Sequence, residues 1–463
     1  MAEPPFTESD LASVENVFDI FLLLFDWLKE REGQALSLKF LSAPEFEAST
    51  QRAWRMCQTL AQDDDDFRDR GVLHAHGKRE FVGFLTGIGG EAALASSYGA
   101  LIGIDASFPP PPRQPRQPLN RRFRDRGRVR FLPSANLLYE GASYLRGYAE
   151  TGTRIENKLK HLTVCLPQRN GYSTEMVPLS DELMALFDDR PSPTFGIVPF
   201  RAQDDLLTIE VTTRIPDGGA LFTARSLDHA GATARLRATL DAAVEHGVDV
   251  LVFPELSFTG SLLAELQRQL DARGARAPKL IVAGTSHVAG QNVCHVLGPD
   301  GRILWQQAKM NRFVILPGEL QTAPEPIPEQ GGTEDIDISD RVVRIADFPF
   351  GRVAVLVCLD FILPETYSVL ANMQVNCIIV PAMTPNSRRF DTLAWAHAAA
   401  SRATTVFCNA PNCPGFGPDA RSFVYTPIQG PDPQFIGVQT PWERHMLVFS
   451  ASPWRHETVP LYD

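Results

Sequence analysis

From about residue 192 onward the chain alternates short apolar runs with segments of helical periodicity, and few folds accept that pattern. The runs are "VDVLVFPE", "KLIVAGTS", "RVAVLVC", "CIIVPA" and "TTVFCNA". An uninterrupted apolar run is what a strand needs when both of its faces are covered. Between the runs, "ATARLRATLDAAVEHG" has helical spacing and ends on glycine, and "SLLAELQRQLDARGA" and "TLAWAHAAASRA" read as further helices. "NVCHVLGPDGRILWQQAK" reads as a hairpin turning over Pro299, Asp300 and Gly301. Strands alternating with helices predict an α/β sheet covered by helices, with antiparallel pairing at the hairpin.

The first part of the chain is different in kind. Residues 1–107 read as a mostly helical region. "SVENVFDIFLLLFDWLKERE" places Val14, Val17, Phe18, Phe21, Leu22, Phe25 and Leu28 at helical spacing, with Ser9 as the expected N-cap. "FVGFLTGIGGEAALASSYGALIGIDASF" is long enough to span a membrane, but Glu91 and the interspersed Gly and Ser residues argue for a buried helical hairpin or a glycine-rich loop and helix. No membrane association is expected.

Residues 108–133 form a Pro/Arg-rich linker or loop, in which eight arginines between Arg113 and Arg130 face one acid, Asp125. The plainer reading is a basic loop that pairs with the acidic remainder of a chain of net charge -11. The other is contact with nucleic acid through Arg121, Arg122, Arg124 and Arg126, with Phe123 interleaved. Residues 134–191 are a mixed connecting region, and residues 192–463 carry the α/β pattern.

Seven cysteines, at 57, 165, 294, 358, 377, 408 and 413, are odd in number and irregular in spacing. With the acidic, polar opening "MAEPPFTESD", they predict free thiols in a reducing cytoplasmic compartment. His74 and His76 lack a third ligand nearby, and Cys294, His295, Cys408 and Cys413 lack the spacing of a zinc site, so no metal is expected. "GIGGE" lacks the lysine and hydroxyl of a phosphate loop, and no cofactor is called for.

Three of the predicted strands finish on a reactive side chain: Glu255 after "VDVLVFP", Lys309 after "RILWQQA" and Cys358 after "RVAVLV". In layered α/β folds, strand ends are where a rigid sheet fixes catalytic groups. A thiol is mostly protonated at neutral pH and needs a base or a neighbouring cation to become a nucleophile. Glu255 can take its proton and later return it to a leaving amine. Lys309 can stabilise a thiolate or the charge on a tetrahedral oxygen, and the backbone N–H of Leu359 can donate to that oxygen as well.

"FPELSFTG", "QAKMNRF" and "CLDFILPE", followed by "CIIVPAMTPNSRRFDTLAWAHAAASRA" and a strand ending on Asn409, resemble the nitrilase, or carbon–nitrogen hydrolase, superfamily over roughly residues 192–450. The resemblance implies a four-layer α-β-β-α sandwich and cleavage of an amide or nitrile, or acyl transfer, through a covalent thioester or thioimidate. It assigns Cys358 as nucleophile, Glu255 as base and Lys309 as stabiliser. It further implies a second glutamate, for which Glu319 in "ILPGEL" is the candidate. A homo-oligomer acting on a small-molecule amide or nitrile is expected by the same analogy. The sequence departs from the family at Ile362 and Leu363, where Arg and Phe are usual, and at Thr405, where Glu is usual. A Pro/Glu-rich insertion at 321–340 precedes the cysteine strand. The alternative reading is a nucleic-acid- or nucleotide-responsive protein, serving for example in bacterial defence, that uses the nitrilase-like half as effector or scaffold, with a nucleic-acid or protein partner bound through the N-terminal region.

Overall fold

The computed structural model describes residues 6–7, 11–31, 35, 43–63, 67, 71–108, 129–131, 155, 159, 162–164, 168–169, 171–187, 192–200, 207–214, 219–226, 231–316, 331–373, 375–401, 403–410, 420–428, 434–439, 445–451, 454–461. The chain divides into two compact units, one of residues 1–135 and 142–166 and one of 136–141 and 167–463. The linker arginines Arg121, Arg122, Arg124 and Arg126 lie outside the described residues.

The first unit is helical. Helix α1 (Val17–Lys29) starts later than the Ser9 expectation placed it. Asn16 caps it, accepting from the N–H groups of Phe18 and Asp19, while the Asp19 carboxylate accepts from the Asn16 N–H. This reciprocal box satisfies donors that the first helical turn leaves open. Helices α2 (Pro44–Asp63), α3 (Ala75–Thr86) and α4 (Ala93–Ser107) follow, α3 and α4 being joined by the glycine-rich turn that the sequence predicts. Helix α4 is buried on most of its circumference, because Gly99 and Gly103 bring it against α2. A Cβ at either glycine would collide with the carbonyl of Phe46 or Thr50. Among the described residues, no helix is long and apolar enough to cross a membrane. A two-stranded ribbon, β1 (Val129–Phe131) and β2 (Leu162–Val164), is tied to α4 by the Leu162 N–H, which donates to the Asp105 carboxylate at 2.8 Å.

The second unit is built on two large sheets. Its elements are β3 (Gln168–Arg169), β4 (Tyr172–Val177), α5 (Asp181–Ala185), β5 (Thr194–Ile197), β6 (Leu207–Arg214), β7 (Ala220–Ser226), α6 (Ala232–Glu245), β8 (Val250–Phe253), α7 (Gly260–Arg273) and β9 (Leu280–Val288). They continue as β10 (Gln291–Leu297), β11 (Ile303–Ala308), β12 (Val314–Ile315), β13 (Gly332–Glu334), β14 (Val342–Phe348), β15 (Gly351–Val355) and α8 (Pro364–Asn372). The last are β16 (Cys377–Ala382), α9 (Arg388–Ser401), β17 (Thr404–Asn409), β18 (Phe423–Ile428), β19 (Gln434–Gln439), β20 (His445–Ala451) and β21 (Trp454–Pro460).

One sheet has the order β11-β10-β9-β8-β5-β20-β21 and the other β19-β18-β17-β16-β15-β14-β4-β3. A smaller sheet, β12-β13-β7-β6, completes the unit. The two large sheets face each other: the Cys408 thiol of β17 reaches the carbonyls of Val198 and Val252 at 3.4 Å, and the rings of Phe195 and Phe350 meet edge to face. Leu236, Leu240, Leu266 and Leu270 of α6 and α7 cover the outer face of the first sheet, and α9 packs on β17 and β18 of the second. The result is a four-layer α-β-β-α sandwich. β8, β16 and β17 are buried at every position, so their apolar runs do not alternate. The strand β4, from the stretch read as connecting, pairs in parallel with β14 and belongs to the second sheet.

Behind the β15–α8 connection, His397 of α9 is completely buried, and neither ring nitrogen has a hydrogen-bond partner among the described residues. Its ring lies 5.3 Å from that of Phe361 and 4.5 Å from that of Tyr367, centroid to centroid. Burial holds its pKa down at about 4. The folded chain therefore binds this proton less readily than the unfolded chain does. The resulting stability is whole above the ordinary histidine range and is lost as pH falls toward 4, by about 3 kcal/mol for this group. His397→Leu is expected to flatten that acid slope while matching or exceeding the parent at neutral pH, because two unpartnered buried nitrogens are removed. Urea midpoints at pH 7.5 and pH 5 test it; variant and parent losing stability in parallel would refute it.

Candidate active site

Three turns bring the reactive residues together, and two of them use backbone that side chains seldom adopt. After β15, Leu356 still donates to Ile379 of β16 at 2.9 Å, and then Cys358 takes a φ of 47°. A non-glycine residue in this left-handed region costs energy and marks a turn held by its surroundings. Cys358 opens a short 3₁₀ turn through Ile362, and Pro364, well suited to a helical first turn, starts α8. The thiol thus stands on a sharp strand-to-helix elbow. After β8, Glu255 is followed by Leu256 at φ 55°, whose N–H donates to Thr285 Oγ1 at 2.9 Å. Gly284, also left-handed, makes room for this turn: a Cβ there would strike the Pro254 carbonyl. Lys309 follows β11, its N–H bound to the Asn292 carbonyl at 2.8 Å.

The side chains of these residues form one buried network. Lys309 Nζ donates to Glu255 Oε1 at 3.0 Å and to Glu334 Oε2 at 2.7 Å. Asn292 Nδ2 bridges the same two carboxylates, at 2.9 Å from Glu255 Oε1 and 3.1 Å from Glu334 Oε1. Glu255 Oε2 accepts from the Met383 N–H at 3.1 Å. Glu334 accepts in addition from the Phe313 N–H at 3.1 Å and lies 3.2 Å from His287 Nε2. The Cys358 thiol is coupled electrostatically to the Glu255 carboxylate, to Lys309 and to the Met383 N–H. The side chains of Glu255, Lys309 and Glu334 are each at most 4% exposed, which makes their mutual charge compensation a condition of burial.

The electrostatics follow from this arrangement. Burial, reinforced by the charge of Glu255, raises the Cys358 thiol well above its ordinary pKa, although Lys309 and the Met383 N–H oppose the rise. The resting thiol is therefore protonated, and a base must remove its proton. Burial alone would lower Lys309, but the carboxylates of Glu255 and Glu334 outweigh it and hold the ammonium charged. Burial would raise Glu334, yet Lys309 and His287 hold it down at about 2.

Two further contacts fix the loops. Asp360, two residues past the thiol, accepts from the Met310 N–H at 2.9 Å and from Asn311 Nδ2 at 2.7 Å, stapling the cysteine elbow to the lysine loop. Complete burial pushes its pKa up to about 7, against the effect of those two bonds. Asn409 closes on Thr384 in both directions, Nδ2 to the carbonyl and N–H to Oδ1, each at 2.9 Å. That pair holds the 383–384 loop where the Met383 N–H meets Glu255.

Glu255, Lys309 and Cys358 are thus brought together, and Leu359 follows the thiol in the 3₁₀ turn. Glu319, the sequence candidate for the second acid, lies outside the described residues. The acid found against Lys309 is Glu334, inside the stretch read as an insertion. Its three-residue strand β13 pairs in parallel with β7 and antiparallel with β12, and this carries it in. Asn292, His287, Asp360 and Met383 were likewise not picked out from the sequence. For Glu334 the available signal was a short "GTE" run beside an apolar isoleucine, but nothing local distinguishes it from the neighbouring acids.

A four-layer sandwich with this elbow and buried network defines a class, and comparison with known proteins gives the same class. The chain belongs to the carbon–nitrogen hydrolase family, whose model matches residues 219–451, half of the sequence. Among solved structures, it is similar to an amidase from Nesterenkonia sp., at 17% identity over 53% of this chain and 92% of that one, with a TM-score of 0.34. It is also similar to a glutamine-dependent NAD+ synthetase from Acinetobacter baumannii, at 14% identity over 58% of this chain, with a TM-score of 0.38. The match spans 47%, about half, of the synthetase. No curated protein matches the chain in sequence.

Proposed function

We propose that the chain cleaves the carbon–nitrogen bond of an amide or nitrile through a covalent intermediate on Cys358. The observation that carries this reading is one buried network joining the thiol, Glu255, Lys309 and Glu334. Glu255 takes the thiol proton as sulfur attacks the substrate carbon. For an amide, the negative oxygen that forms is stabilised by Lys309 Nζ and the Leu359 N–H. Glu255 then delivers its proton to the nitrogen, the carbon–nitrogen bond breaks, and the amine leaves behind a thioester. Water attacks the thioester, Glu255 accepts the water's proton and returns it to sulfur, and the acid is released. Glu334 holds Lys309 charged and aligned throughout. No cofactor or metal enters this sequence.

Incubating the full chain with a panel of primary amides and nitriles is expected to add an acyl or imidoyl mass to Cys358 in intact-protein mass spectra. Cys358→Ala should bind no such mass and release no ammonia while melting at the parent's temperature. Unchanged ammonia release by that variant would overturn the assignment.

A further inference from the structure

Phe313 is placed unlike the other aromatic side chains near the site. Its ring centroid is 5.9 Å from Lys309 Nζ, yet the residue is 41% exposed. Its backbone is locked to the site's second acid in both directions. The Phe313 N–H donates to Glu334 Oε2, and the Glu334 N–H donates to the Phe313 carbonyl at 2.7 Å. The ring therefore reaches from a buried catalytic ammonium to the surface on a backbone with little freedom to move away. Val314, on the short strand that follows, is 46% exposed, so the apolar character continues outward.

Elsewhere near the network the exposed and buried surfaces separate cleanly. Glu255, Lys309, Glu334 and Asn292 are buried and bond mainly to one another, with Asn292 Oδ1 left without a partner among the described residues. An apolar ring held at the edge of such a network gains from contact with an apolar group and offers no hydrogen bond to a polar one.

We infer that Phe313 is a specificity-determining residue that packs against an apolar or aromatic group flanking the scissile carbon–nitrogen bond. The substrates are then hydrophobic amides or nitriles rather than the smallest aliphatic ones. This rests on the proposed function of the same site. Contact of one ring with a group of benzyl size is expected to separate good from poor substrates by at least about tenfold.

The test compares kcat/KM for acetamide, butyramide and phenylacetamide, and for N-benzylacetamide to place the apolar group on the leaving side. The parent is expected to favour a benzyl-bearing amide over acetamide by about tenfold or more. Phe313→Ala should abolish most of that preference, and Phe313→Leu should retain part of it. A parallel measurement does not depend on turnover: the rate of Cys358 alkylation by N-benzyl-iodoacetamide relative to iodoacetamide. That ratio should fall in Phe313→Ala. A flat amide series, or an unchanged alkylation ratio in the variant, overturns the role of Phe313. Loss of all turnover with a changed alkylation ratio would instead reject the hydrolase reading and keep the apolar contact.

Discussion

Lys309→Met should destabilise the fold by about 3–5 kcal/mol, because it leaves two buried carboxylates without their shared cation. Glu255 and Glu334 both bond to Lys309 Nζ, and Asn292 holds them toward the same point. With the ammonium gone, one carboxylate must protonate or the site must open to water. In the proposed mechanism the same variant would also lose the stabiliser of the tetrahedral oxygen, and it should lose at least about a hundredfold in kcat. Urea denaturation separates the two effects through a second variant. Lys309→Met combined with Glu334→Gln removes one of the stranded charges and should recover a substantial part of the stability, while activity stays lost. Failure of the double variant to recover would mean that packing of the lysine stem, not charge compensation, carries the cost. Equal stability of Lys309→Met and the parent would show that the network does not exist in solution.

Much of this site was legible in the sequence because its parts are local. The Glu255 and Cys358 runs each declare a strand by continuous apolarity and a reactive end by the residue that breaks it, and Lys309 ends the second strand of a hairpin marked by its Pro-Asp-Gly turn. The two faces of a buried strand leave no alternation to misread, so β8, β15 and β16 emerged close to their observed limits. Glu334 was not legible for the converse reason. It reaches Lys309 only because β13 pairs with β7, more than a hundred residues earlier in the chain, and local spacing carries no record of that pairing. Distance along the chain pointed to Glu319 instead. Asp360 was in view within "CLDFILPE", but its use as a staple depends on where the lysine loop passes, which is a tertiary fact. The helix start shows the same limit on a small scale. Ser9 and Asn16 are both good caps by residue type, and Asn16 is the one with Asp19 three positions on to complete the box.

Glu255→Gln should separate the two roles that one carboxylate plays toward Cys358. In the proposed mechanism Glu255 is the base that takes the thiol proton, and its loss should lower kcat by about 10²–10⁴-fold. As a charge, it works in the opposite direction, since together with burial it keeps the thiol pKa high. A glutamine removes that repulsion while Lys309 remains beside the sulfur and Glu334 still balances the lysine. The folded thiol pKa should therefore fall in the variant, and the pH midpoint of Cys358 alkylation by iodoacetamide should move down with it. A more readily ionised thiol in a less active enzyme is the expected pair of effects. Misfolding would expose the thiol and move its midpoint down as well, but it would also let several of the buried cysteines at 57, 294, 377 and 408 react. Counting alkylated sites by mass distinguishes the cases: one modified cysteine with a lowered midpoint supports the dual role of Glu255. An unchanged or higher midpoint would show that the carboxylate does not face the thiol.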